Sequence, residues 1–306
     1  MSFREAEADP DQWANWLMRD RFSNDPDVER DLLATIEKDV DRLLEHAGLQ
    51  PGMTLLDVGS GDGTVALRAT ERIGPELKVY VTDVSPRLLE YARQRLLARG
   101  VDSQCSFSRC AAQSLHAIAD SSVDAVTTRA VIGYLPDKMA VLREFWRVLK
   151  PGGRISLAEL IRRDEAFEVC ALRKFVESAP DALENRLFHL LHRWKRTQFP
   201  DTEEDALRLP MTNFSERDLV SFAMNCGFED VHMELHIDIG PAIGASWDAL
   251  LESAPFPWSP TLRTLMNEQF SAEERLLFET VLRSDIGAGR MRTATRMAFL
   301  SATKPI

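Results

Sequence analysis

Leu55-Leu56-Asp57-Val58-Gly59-Ser60-Gly61-Asp62-Gly63 is a short apolar run that ends in a glycine cluster. This is the pattern of a buried strand meeting a tight turn, where glycine lets the backbone bend sharply and approach a ligand closely. Thr54 to Val58 reads as the strand, and Val65 to Ile73 as the helix that follows it. The same rhythm continues downstream. Val79 to Thr82 is a second strand, and Ser85-Pro86 opens a helix with Ser as N-cap and Pro in the first turn. Gly100 closes that helix. Cys105 to Ser108 is a third strand, Val123 to Thr128 a fourth, Lys138 to Leu149 a helix, and Arg154 to Leu160 a fifth strand after Lys150-Pro151-Gly152-Gly153. Buried strands alternating with helices predict an α/β fold, a doubly wound and mostly parallel sheet.

Outside this segment the pattern is helical. From Asp11 to Gly48 apolar residues recur at helical spacing (Leu32, Leu33, Ile36, Val40, Leu43, Leu44, Ala47), with a break near Pro26. Residues 161 to 212 read as helices. Ser215-Glu216-Arg217-Asp218 resembles a capping box opening a helix to Gly227, and Val231 to Ile239 alternates as a sixth strand. Residues 241 to 288 are loop and helix, one opened by Ser271-Ala272-Glu273-Glu274, and Thr293 to Ala302 is a last strand. Two insertions of roughly 50 residues exceed ordinary loops and are expected to be functional caps.

The glycine turn alone indicates a nucleotide-like cofactor. Asp83, at the end of the second strand, sits where a carboxylate can accept hydrogen bonds from both hydroxyls of a ribose; the plainer reading is a loop residue or helix cap. A nicotinamide dehydrogenase would carry GxGxxG, but here the sixth position is Thr64 and glycine falls at Gly63. The GxGxG form suits a cofactor without phosphates, such as S-adenosylmethionine.

Asp57 to Gly63, the strand-end Asp83, Ser122-Val123-Asp124-Ala125-Val126 and Arg147-Val148-Leu149-Lys150-Pro151-Gly152-Gly153 follow one another in an order that resembles the class I S-adenosylmethionine-dependent methyltransferases, which are Rossmann-like. The resemblance covers roughly residues 50 to 160, resumes over 213 to 240 and includes the last strand. It implies a seven-stranded sheet with an antiparallel last strand and a helical cap built from the two insertions and the N-terminal helices. The implied division is N-terminal helices 1–50, cofactor-binding core 51–160, first cap insertion 161–212, core helix and strand 213–240, second cap insertion 241–290, and last strand 291–306. It also implies that Asp57, Gly59, Ser60, Gly61 and Gly63 surround the methionine moiety, that Asp83 holds the ribose, and that Val84 lies beside the adenine. Cys110, Ala111 and Ala112 form the next adenine-contacting turn. Many relatives carry an acid where this chain has Ala111, so Gln113 or a backbone carbonyl would substitute. Thr128, Arg129 and Ala130 would flank the methionine end and the acceptor; Arg129 reads equally as a ligand for a carboxylate or as a plain surface arginine.

With 44% hydrophobic and 28% charged residues, the chain can bury a sizeable core. A formal net charge of -11 repels phosphate backbones, so nucleic acid is not the expected partner. The start, Met1 to Asp20, lacks a basic and apolar leader, no apolar run reaches membrane-spanning length, and the four cysteines form no CxxC. A cytoplasmic protein with reduced thiols, no membrane contact and a possible homodimeric state is expected.

Several side-chain groupings invite sharper readings. His232, Glu234, His236 and Asp238 share one face of the sixth strand, which resembles a metal set, but a charged face on an edge strand is the preferred reading and no metal is expected. Arg186, His189, His192, Arg193, Lys195 and Arg196 make a basic helix face; with Leu187, Leu190, Leu191 and Trp194 opposite, a packing helix is preferred to a nucleic-acid patch. His189, His192 and Glu159 are the candidate general bases if the acceptor must lose a proton. Trp13, Trp16, Leu17 and Phe22 read equally as core or as a lid over the cofactor. Phe167, Phe175, Phe188, Trp194, Trp247, Phe256 and Trp258 in the insertions point to a small, partly hydrophobic acceptor. An S-adenosylmethionine-binding protein that does not methylate stays open beside this, and so does the dehydrogenase.

Overall fold

The computed structural model describes residues 10–178, 182, 185–241 and 246–306. The first nine residues of the polar N-terminal segment and residues 179–181, 183–184 and 242–245 of the insertions lie outside the described residues. Helix α1 (Pro10–Met18) is followed by a short 3-10 turn at Asp20–Phe22 and by α2 (Pro26–Ala47). The expected break has a capping cause: the Asp25 carboxylate accepts from the backbone N–H groups of Asp27 and Val28, satisfying donors that a helix start leaves open.

The α/β segment then runs β1 (Thr54–Val58), α3 (Thr64–Ile73), β2 (Lys78–Asp83), α4 (Pro86–Ala98), β3 (Cys105–Arg109), β4 (Val123–Arg129), α5 (Lys138–Val148) and β5 (Leu149–Leu160). It continues with α6 (Arg163–Ser178), α7 (Arg186–Lys195), α8 (Glu203–Arg208), α9 (Glu216–Asn225), β6 (Glu229–Pro241), α10 (Trp247–Glu252), α11 (Leu262–Gln269), α12 (Ala272–Gly287) and β7 (Arg292–Thr303). Ser85 caps α4 through the Leu88 N–H, and both expected capping boxes are formed, Ser215 with Asp218 and Ser271 with Glu274.

The strands form one sheet in the order β3-β2-β1-β4-β5-β7-β6. From β3 through β2, β1 and β4 to β5 the pairings are parallel, whereas β7 is antiparallel to β5 from Arg154↔Thr303 to Leu160↔Met297. Most boundaries shift by a residue or two from the sequence reading, and one shifts further. β5 begins at Leu149, not Arg154, because Leu149 already pairs with Val123 before a bulge carries the register to Ala125↔Arg154. Lys150 anchors this stretch on the Asp124 carboxylate at 2.8 Å, and the Gly152 N–H donates to the Lys304 carbonyl.

The chain forms two compact units. One comprises Thr35–Ile161, Phe214–His236 and Arg296–Ile306, with a core of sheet residues such as Leu56, Val126, Ile155 and Leu300 packed with Phe145, Phe214 and Leu219 from helices and loops. The other comprises the chain up to Ala34, Arg162–Asn213 and Ile237–Thr295. Its helices bury Leu190, Trp194, Trp247, Leu262, Phe270 and Phe278, with Leu187 and Leu191 packed against them, so the basic α7 uses its apolar face for packing. Among the described residues, no helix is long and apolar enough to cross a membrane.

Candidate cofactor site

β1 delivers Asp57 into the sheet interior and then turns. The Ser60 N–H donates to the Thr82 carbonyl, the Gly63 N–H to the Ser60 carbonyl, and the Ser60 and Thr82 hydroxyls both donate to the Asp57 carbonyl. The turn is therefore a rigid cradle tied to β2. Gly59, at φ 65°, has no room for a side chain, since a Cβ there would lie 2.4 Å from Val131 Cγ2. Gly63, at φ 77°, is the N-cap of α3, and a Cβ there would meet the Ala92 methyl at 2.8 Å. The turn consequently packs against α4 and the loop after β4, leaving backbone rather than side chains along its open rim.

Two carboxylates stand in this cradle. Asp57 is 1% exposed; its Oδ1 accepts from the Thr127 hydroxyl at 3.1 Å, while Oδ2 is buried with no hydrogen-bond partner. Burial raises its pKa to about 7, against the hydrogen bonds that favour the charged form. A buried carboxylate oxygen without a donor fits a site that receives a cationic ligand group. Asp83 accepts from the Gly61 N–H through Oδ2 and from the Ser85 N–H through Oδ1, each at 2.9 Å. Burial pushes its pKa up as well, although backbone donors oppose this. Each of its oxygens keeps a further lone pair, enough for the two hydroxyls of a ribose.

The other expected contacts lie at the ends of β2 and β4 and in the turn after β3. Val84 follows Asp83 and is 44% exposed, an apolar side chain left uncovered at the rim. The Cys110 N–H donates to the Asp83 carbonyl, and Ala111 closes a small turn with Ser114; Cys110 and Ala112 are buried. Thr128 is buried with an unpartnered hydroxyl, and Arg129 ends β4 half-buried. The sequence reading missed Thr127. Its register opposite Asp57 across β1 and β4 was the available signal, because same-register neighbours in adjacent strands share a face.

The three candidate bases are not alike. Glu159, 1% exposed at the end of β5, accepts three backbone N–H bonds, from Val131 and Ile132 on Oε1 and from Gly133 on Oε2. Its carboxyl, pushed up by burial, thus organises the loop after β4. Lys138, itself buried and lowered to about 8 by that burial, lies 4.7 Å above the Phe214 ring and in the field of Glu159. His189 and His192 belong to the other unit. His192 is buried on Asp201 at 3.1 Å, and its pKa is lowered, chiefly by burial; His189 is half-buried with no partner at Nε2.

Residues 49–199 match the family described as a methyltransferase domain. The chain is 35% identical over 124 residues to the tRNA 5-carboxymethoxyuridine methyltransferase of Escherichia coli K12, a match covering 40% of this chain and 46% of that protein. It is 37% identical over 113 residues to the ubiquinone/menaquinone biosynthesis C-methyltransferase UbiE of Xanthomonas oryzae pv. oryzae, covering 37% of this chain and 44% of that protein. The chain therefore spans less than half the length of these curated relatives. The structure of phosphoethanolamine N-methyltransferase 2 of Haemonchus contortus in complex with S-adenosyl-L-methionine superposes with a TM-score of 0.51 at 17% identity, over 100% of this chain and 60% of that one. The dehydrogenase alternative gives way to this match. Residues 49–199 match a methyltransferase domain, and the seven-stranded sheet built around them has the fold of the class I S-adenosylmethionine-dependent methyltransferases.

Proposed function

We propose that the protein transfers a methyl group from S-adenosylmethionine to a small, partly hydrophobic acceptor. The observation that carries this reading is the pair of buried carboxylates on one glycine cradle: Asp57 with an oxygen lacking a donor, and Asp83 with lone pairs to spare. In this assignment Asp57 and the Gly59–Gly63 turn hold the cationic amino-acid end, Asp83 the ribose, and Val84 with Cys110, Ala111 and Ala112 the adenine. Thr128 and Arg129 border the methionine end. When bound, the cofactor supplies a methyl group already activated on a sulfonium. The protein's task is then chiefly alignment of acceptor, methyl carbon and sulfur.

A base is required only for an acceptor that must lose a proton. Glu159 is engaged by three backbone donors and His192 by Asp201, whereas the His189 Nε2 has no partner. The helical unit itself holds a cavity lined by Trp16, Phe256 and Pro257, with Asp20 and Glu252 at hand, which combines apolar walls with hydrogen-bond acceptors. Trp16 and Gln12 brace it by donating to the Ala254 and Pro257 carbonyls.

Calorimetry of the purified chain with S-adenosylmethionine, followed by detection of S-adenosylhomocysteine formed over a panel of small acceptors, tests the reading. Stoichiometric binding and acceptor-dependent product are expected. Binding with no product from any acceptor class would favour a non-methylating binder, and no binding at all would remove the cofactor.

A further inference from the structure

We propose that His46, His232 and Glu234 form a binding site for a divalent transition-metal ion of the zinc class, at the free edge of the sheet. The alternation of β6 puts His232, Glu234 and His236 on one face, but one strand cannot surround an ion. The fold supplies the ligand from elsewhere: His46, in the last turn of α2, reaches the same carboxylate. The Glu234 Oε1 lies 3.3 Å from the His46 Nε2 and 3.2 Å from the His232 Nε2, and the three donor atoms are within 4.8 Å of one another. Ligands about 2.0–2.2 Å from a tetrahedral ion stand roughly 3.3–3.5 Å apart, so each imidazole already stands from the carboxylate at the spacing of such a shell. His236, whose Nε2 is 3.1 Å from the Oε2 of Glu234, or a water completes it.

Arg42 grips both Glu234 oxygens, with Nη2 at 2.8 Å from Oε1 and 2.7 Å from Oε2 and Nε at 2.9 Å from Oε2. An ion on Oε1 would replace the two imidazole contacts and the Arg42 Nη2 contact there, while Arg42 keeps Oε2. The nearby cation makes this an exchangeable site, weaker than a closed structural zinc centre. Its occupancy would clip the end of α2 to the edge strand, a common place for a sheet to need protection.

The test is titration of metal-free full-length chain with Zn2+ alone, read by calorimetry and by thermal unfolding. One saturable equivalent and a higher melting temperature are expected, with affinity falling as the pH is lowered through the imidazole range. His232→Ala, at a side chain 59% exposed and therefore safe for folding, should weaken binding more than the ~10–100-fold typical of losing an outer-shell partner. His116→Ala, at an exposed histidine elsewhere, should change nothing. Absence of saturable binding, unchanged affinity in His232→Ala, or loss of binding in His116→Ala would each overturn the proposal.

Discussion

Asp57 is strained by its own burial. Its carboxyl titrates at about 7 in the fold against 3.8 in a free chain, so the proton is held more tightly folded than unfolded. The stability this contributes is fully present below about pH 4 and is lost as the pH rises to about 7. Asp57→Asn should therefore make the ligand-free protein more stable than the parent at pH 8, by on the order of a few kcal/mol, and by much less at pH 4. Thermal melts at the two pH values check this, and an equal gap at both would refute it. The same variant should bind S-adenosylmethionine poorly, and the parent's affinity should drop as the pH is lowered through about 7, because a cationic ligand group favours the ionised carboxylate. Asp83 predicts a simpler outcome. Hydrogen bonds to a charged group contribute about 1.5–3 kcal/mol each, so Asp83→Ala should weaken cofactor binding at least about tenfold; unchanged affinity in a folded variant would take Asp83 out of the site.

At the scale of elements, the loop after β4 depends on a side chain from the next strand. Three backbone N–H groups, of Val131, Ile132 and Gly133, end on Glu159. Glu159→Ala leaves those donors buried and unmet, and should cost about 2–4 kcal/mol in urea unfolding. Since Val131 also packs against Gly59, the variant should bind cofactor more weakly too, which calorimetry would show; a stable variant with parental affinity would deny the loop any role in the site. The Ser215 capping box acts more locally. Ser215→Ala should cost about 1 kcal/mol without changing cofactor affinity. Those caps were legible from Ser215-Glu216-Arg217-Asp218 and Ser271-Ala272-Glu273-Glu274 because the capping residues are neighbours in the chain. Glu159 was read only as a proton acceptor, because its partners lie 26 to 28 residues away in a loop whose path periodicity does not reveal.

For the whole molecule, charge bears on the acceptor. One relative is named as a tRNA methyltransferase, yet this chain has a net charge of -11. A small-molecule acceptor predicts that the protein shows no tRNA binding at physiological salt in a filter-retention assay, since each phosphate contact requires a cation to displace condensed counterions. Tight, salt-sensitive binding would instead place the acceptor in RNA. The sequence alone determined the strand–turn–helix at Leu55 to Gly63, the strand-end carboxylate at Asp83, the alternation of elements and the helix caps. Each depends on residues within a turn or two of one another, where periodicity and backbone sterics are sufficient. Tertiary structure decided the rest. It paired Thr127 with Asp57 and left the second Asp57 oxygen without a donor; it occupied Glu159 with backbone and His192 with Asp201. It also brought His46 to Glu234 across 188 positions of sequence. These contacts come from packing between distant segments, whose approach is fixed by what each buries and not by any local pattern.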